Sequence, residues 1–160
     1  MKFKVSEDVD APMQVVWSRF VDFFQFESEA KGRGADLVRI GDWSEPAKGA
    51  KWRGEVPVRG KTRVIAAEIT TFDPEDTCVV TSQIGGMDCV YDLTFVALSP
   101  EVTRVTSVME LSANTLSARL LLQTMKLARG KVMQKLQAIL ARQGNAAEAT
   151  WRKMQRSQQA

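Results

Sequence analysis

Histidine is absent from this chain, which removes the central group of Ser-His-Asp and Cys-His catalysis, of imidazole proton shuttling and of His-bearing metal sites. The groups left for chemistry are Tyr91, which is the sole tyrosine, the thiols of Cys78 and Cys89, lysines and arginines, and carboxylates, among them those in "EDVD", "DPEDT" and "MDCVYD". Asp88 and Asp92 fall on one face of a strand-like run, two steps apart across Val90, and are expected to point outward. That orientation does not suit a general acid/base pair. Cys78 and Cys89 lie in strand-like segments without CxxC spacing, so buried, reduced thiols are expected in preference to a disulfide or a zinc site. "GRG" at Gly32 to Gly34 lacks the remaining glycine of a dinucleotide fingerprint and follows a helix, so it reads as a turn. No catalytic residue, metal site or cofactor is predicted, and the balance leans away from an enzyme.

The elements that must position these groups follow from periodicity. Phe3, Val5 and Val9 alternate with charged residues as in a half-buried strand. A helix is predicted next, with Asp10 as N-cap, Pro12 in its first turn, and Val15, Val16, Phe20 and Phe23 at helical spacing. From Ala35 to Leu111 the chain reads as an antiparallel meander. Its strands are "ADLVRI" ending at Gly41, "KWRGEVPV", "KTRVIAAEITTF", "TCVVTSQI", "MDCVYDLTFVAL" and "TRVTSVMEL". Gly85-Gly86 is the strongest hairpin signal, since primed turns require positive φ. Leu116 to about Arg142 reads as one long helix, with Leu116, Leu120, Met125, Val132, Leu136, Ile139 and Leu140 on its apolar stripe. The tail from residue 144 to 160 loses that stripe and is expected to be a short helix or disordered.

Alternation also assigns faces. Met87, Cys89, Tyr91, Leu93, Phe95 and Ala97 share one side of their strand, and Val105, Ser107, Met109 and Leu111 share one side of the last. A curved antiparallel sheet wrapped on the terminal helix buries both inward faces. Tyr91, Ser107 and Thr124 would then set a few hydroxyls among Met87, Cys89, Leu93, Met109, Leu120 and Leu121, a composition suited to small-molecule recognition. Trp52, Val56, Ile65 and Ile69 of the middle strands complete the expected cavity wall.

The chain has 160 residues, 44% hydrophobic and 26% charged, enough for one domain with a full core. No run approaches the roughly 20 apolar residues that cross a bilayer, and the first ten residues lack the apolar core of a secretory signal, so a cytoplasmic protein is expected. Charge is divided unevenly. Residues 1 to 111 carry 13 Lys/Arg and 18 Asp/Glu, a net −5, whereas residues 112 to 160 carry nine and one, a net +8. A basic amphipathic helix of this kind offers Lys126, Lys131 and Lys135 to an anionic membrane or protein surface. Nucleic acid is not expected as a partner, because only Trp151 interleaves an aromatic with the basic residues.

The pattern "VDAPMQVVWSRFVDF", the hairpin series, "YDLTFVAL" and an "RL"-containing terminal helix together resemble the START-like, or SRPBCC, superfamily, which includes polyketide cyclase/dehydrase-like proteins. The resemblance spans residues 1 to 142. It implies an α+β helix-grip fold, a curved seven-stranded antiparallel sheet around a long C-terminal helix, with two short helices after the first strand. A single domain over residues 1–143 and a basic tail over 144–160 follow from it. It also implies a hydrophobic cavity between sheet and helix, with Trp17 and Phe20 serving mainly as structural plugs. No catalytic signature accompanies the resemblance. Three functions are compatible with these residues: a carrier of a hydrophobic small molecule such as a lipid, quinone or polyketide; a polyketide cyclase/dehydrase-like enzyme using Tyr91 or a carboxylate; and an interaction module built on the basic helix.

Overall fold

Two short turns show how the chain builds its sheet. Gly85 and Gly86 both take positive φ, +56° and +45°, so Ile84 and Met87 pair directly across a two-residue loop. Arg59 and Gly60, at φ 49° and 77°, do the same between the third and fourth strands. The computed structural model describes residues 1–41 and 47–159. In chain order its elements are β1 (Lys2–Val9), α1 (Met13–Phe20), α2 (Phe23–Gly32), β2 (Asp36–Ile40), β3 (Lys51–Val58), β4 (Lys61–Asp73), β5 (Thr77–Ile84), β6 (Met87–Ser99), β7 (Val102–Ala113), α3 (Leu116–Leu127) and α4 (Arg129–Gln158).

The strands form one antiparallel sheet in the order β1-β7-β6-β5-β4-β3-β2. β1 therefore closes one edge against β7, while α1 and α2 carry the chain across to β2 at the opposite edge. The sheet is curved, and α4 packs against β1 and α1. This is the helix-grip arrangement. Across the centre Tyr91 pairs with Met109, and Leu93 with Ser107. Phe3, Val5, Val9, Val105, Leu93, Phe95 and Leu111 are all buried on the inner face, as alternation requires. Asp88 points the other way and accepts a hydrogen bond from Asn114 Nδ2 at 2.7 Å.

The helices differ from the sequence reading in three places. Asp10 does not cap α1: the Ala11 N–H first bonds the Val9 carbonyl, so the helix begins after Pro12, which has no side-chain acceptor to offer. The long terminal helix is broken. At Ala128, with φ −101° and ψ 29°, the chain leaves helical geometry and restarts as α4. The cause is packing, because α3 lies along β7 whereas α4 lies along β1 and α1, and one straight rod cannot follow both. Finally, Gly144 does not end the helix. It is buried inside α4, where a Cβ would stand 3.0 Å from Val9 Cγ2, so glycine is what lets α4 approach β1. Residues 145–158 continue the same helix, about 45 Å in all at 1.5 Å per residue.

Candidate ligand cavity

Aromatic residues of α1 close one end of the concave face. The Trp17 ring lies 4.9 Å from Phe95 and 5.4 Å from Phe72, and Phe20 lies 5.8 Å from Phe95, all in tilted or edge-on contact. Beyond this plug the face is not filled. A cavity of about 370 Å³ lies between β6, β7, α2 and α4. Tyr91, Leu93 and Met109 form its floor, Leu136, Ile139 and Leu140 come from α4, and Phe26 and Ala30 come from α2. Phe20 forms the wall shared with the plug. Four polar side chains complete the lining: Glu29, Arg33, Arg142 and Gln143.

Two of these belong to a network that ties three helices together. Asp22 caps α2 by accepting from the Gln25 N–H at 3.1 Å, and this sets Glu29 two turns on toward the cavity. Gln143, 1% exposed, accepts from Arg19 Nε at 2.8 Å and donates to Glu29 Oε2 at 3.3 Å. Arg19 also reaches Glu29 directly at 3.4 Å. The buried amide is satisfied at both its oxygen and its nitrogen, as its position demands.

The chemistry of the floor is subdued. Burial pushes the Tyr91 phenol above its ordinary pKa, with the nearby Ser107 hydroxyl acting in the opposite direction. Ser107 Oγ is itself buried without a partner in hydrogen-bonding geometry among the described residues. Burial raises the Cys89 thiol, and it pushes Cys78 up to about 12, with the Asp92 charge adding to the effect. Both cysteines are free and buried, hence neutral at ordinary pH and poor nucleophiles. Among the described residues no cluster of three His, Cys, Asp or Glu could hold a metal ion. Nor is any described helix long and apolar enough to cross a membrane.

A second polar group sits away from the cavity, under β2 and β3. Glu27 accepts from Trp52 Nε1 at 2.7 Å and from both Arg39 Nε and Nη2. The Arg39 guanidinium beside Glu27 holds that carboxyl below its ordinary range, with the Trp52 N–H contributing.

Of the residues expected to line a cavity, Tyr91, Leu93 and Met109 do so. Trp52, Ile69, Met87, Cys89, Ser107 and Leu121 are buried on the inner side but lie outside this lining, and Val56 and Ile65 are half-buried toward the β2 edge. Leu120 and Thr124 are exposed: Leu120 retains 58% of its surface, and Thr124 Oγ1 donates to the Leu120 carbonyl. The break at Ala128 turned that part of the stripe outward. The sequence reading missed Phe26, Glu29, Ala30, Arg33, Arg142 and Gln143 as lining residues, and it placed Leu136, Ile139 and Leu140 only on the helix stripe and Phe20 only in the plug. Gln143 left a trace, since it continues the spacing of Leu136, Ile139 and Leu140 as a polar residue on an apolar stripe.

No family model matches the sequence, and no curated protein matches it. Solved structures do resemble the fold. The Zhui aromatase/cyclase from Streptomyces superposes with a TM-score of 0.67 at 14% identity, covering 92% of this chain and 93% of its own. A protein from Thermus thermophilus gives 0.66 at 16% identity, over 94% and 99% of the two chains. Norcoclaurine synthase from Thalictrum flavum, in complex with dopamine and hydroxybenzaldehyde, gives 0.64 at 13% identity, over 90% of this chain and 83% of its own. The chain shares the helix-grip fold of these structures.

Proposed function

We propose that this protein binds and carries a hydrophobic small molecule in the cavity between β6, β7, α2 and α4. The observation that carries this reading is a space of about 370 Å³ left open between the sheet and the helices, with mostly apolar walls. Its size falls within the roughly 300–1,000 Å³ of small-molecule sites. Helix-grip neighbours named for acting on or holding small molecules support it by analogy. A carrier suits the residues better than a cyclase-like enzyme does. Glu29, the carboxylate in the wall, is taken up by Arg19 and Gln143, and the Tyr91 phenol is held neutral. Lipids, quinones and polyketide-like compounds are the candidate cargoes. An apolar fluorescent probe titrated into delipidated protein should bind with one-to-one stoichiometry, and Met109→Trp, which fills the floor, should abolish that binding. Absence of saturable binding would overturn the reading.

A second reading rests on a separate observation. Leu116, Leu120 and Leu127 keep 74%, 58% and 92% of their surface exposed, and their spacing puts them on one face of α3. Arg119 and Lys126 of α3 and Lys131 and Lys135 of the first turns of α4 are exposed, and no carboxylate occurs between residues 111 and 147. An interfacial helix has this makeup, and the charge fits an anionic lipid surface. Co-sedimentation with phosphatidylserine vesicles, lost in high salt and in Leu127→Ser, is the expected result; equal recovery with neutral vesicles would refute the electrostatic fit.

A further inference from the structure

The polar residues of the cavity wall are not balanced in charge. Glu29 is the one carboxylate in the lining, and Arg19 neutralises it from behind at 3.4 Å. Arg33 at the end of α2 and Arg142 on α4 are both exposed, and both contribute to the lining. Neither side chain makes a hydrogen bond or ion pair with any described residue. The deep wall, in contrast, is apolar: Phe20, Leu93, Leu136 and Leu140 retain between 1% and 7% of their surface. The site therefore has an apolar interior and two unpaired guanidinium groups at its rim.

We infer that the cargo is an amphipathic carboxylic acid, its apolar body inside the cavity and its carboxylate held at the rim by Arg33 and Arg142. This inference rests on the cavity being a ligand site and names the chemical class that site selects. A guanidinium presents paired N–H donors that match the two oxygens of a carboxylate, and it stays charged at any physiological pH. An acid with its head at the rim keeps that charge partly in water, avoiding the cost of burying an ion. The whole cavity, at about 370 Å³, has room for about a dozen water-sized groups at roughly 30 Å³ each, which suits a medium-length chain or a fused ring pair better than a long-chain lipid.

The test compares ligands of one shape and different head groups. Decanoate, decanol and methyl decanoate are titrated at neutral pH by displacement of an apolar fluorophore from the full-length protein. Decanoate should bind about tenfold tighter than the two uncharged compounds, and half-molar salt should remove most of that preference while sparing decanol. In the R33Q/R142Q double variant the preference should fall to about one. Equal binding of all three compounds to the wild type overturns the inference and leaves the carrier reading standing. A preference for decanoate that survives both the salt and the double substitution overturns the assignment to these arginines. Failure of all three compounds and of the fluorophore to bind removes the carrier reading itself. The salt titration on wild-type protein keeps the inference testable should the double variant not fold.

Discussion

The two ends of the concave face use the same alternation and reach opposite results. At the end under α1, Trp17, Phe20, Phe72 and Phe95 meet ring to ring and Ile69 is fully buried, so nothing is left open. At the end under α2, Tyr91 and Met109 stand on equally regular strands, yet a cavity remains above them. The difference lies in the helices. α1 buries Val16, Trp17 and Phe20 and settles onto the sheet, whereas α2 has no fully buried residue. α2 is held to α1 and α4 by Arg19, Glu29 and Gln143, hydrogen-bonded side chains of fixed reach. Apolar side chains collapse until they touch. A polar strut holds its partners at a set distance, and a cavity survives beneath it.

The sharpest way to break this contrast is to delete one large side chain at each end. Phe95→Ala should cost about 3–5 kcal/mol in urea unfolding, because the rings around it are already in contact and cannot close the gap. Met109→Ala should cost about 2 kcal/mol, the low end for such a change, since its side chain already borders empty space. Equal losses at the two sites would show that the ends are packed alike.

Gln143→Leu tests the strut. Removing the amide leaves Arg19 Nε without its acceptor and Glu29 Oε2 without its Gln143 donor, for a loss of roughly 1–2 kcal/mol in thermal or denaturant unfolding. If Gln143→Leu instead stabilises the protein and shrinks apolar-probe binding, the helices have collapsed onto the sheet, and the amide was what held them off it. Unchanged stability together with unchanged binding would refute the strut.

Acid sensitivity belongs to the polar group under β2. Glu27 has a folded pKa below its ordinary 4.5, so its contribution to stability is complete above that value and is lost as pH falls below it. Stability of the wild type should therefore drop more steeply between pH 5 and 3 than that of Glu27→Gln, as followed by urea midpoints. Parallel curves would show that the ion pair contributes nothing.

The smallest effects concern the thiols. Cys78 at about 12 and Cys89 raised by burial should both resist a thiol reagent at pH 8 in the folded protein and react promptly in denaturant. Because the folded state disfavours the thiolates, their contribution is intact below the ordinary 9.0 and is lost as pH climbs from there toward 12. Cys89, 8% exposed against 1% for Cys78, should label first. The reverse order would mean that the Cys78 end opens more readily.

Much of this architecture was legible in the residues. Alternation in "MDCVYDLTFV" and "VTSVMEL" correctly sent Cys89, Leu93, Phe95, Val105 and Leu111 inward, because a pleated strand has a period of two wherever it lies. Gly85-Gly86 specified its hairpin because few residues other than glycine accept two positive φ angles in succession. Helical periodicity was less informative. It gave a stripe from Leu116 to Leu140 but not the break at Ala128, since period reports which residues share a face and not what that face meets.

The sequence by itself determined the seven strands, the inward faces of the last two, the aromatic segment near the start and the basic character of the last third, all of which follow from local stereochemistry and composition. The tertiary structure alone decided that α3 shows Leu116, Leu120 and Leu127 to solvent, that Gly144 is a contact with Val9, and that Arg19, Glu29 and Gln143 meet over an open cavity. Those three residues are separated by up to 124 positions. Gln143 stood out only as a polar residue on an apolar stripe, and nothing local distinguished Arg19 and Glu29 from other surface polar residues until folding brought their helices together.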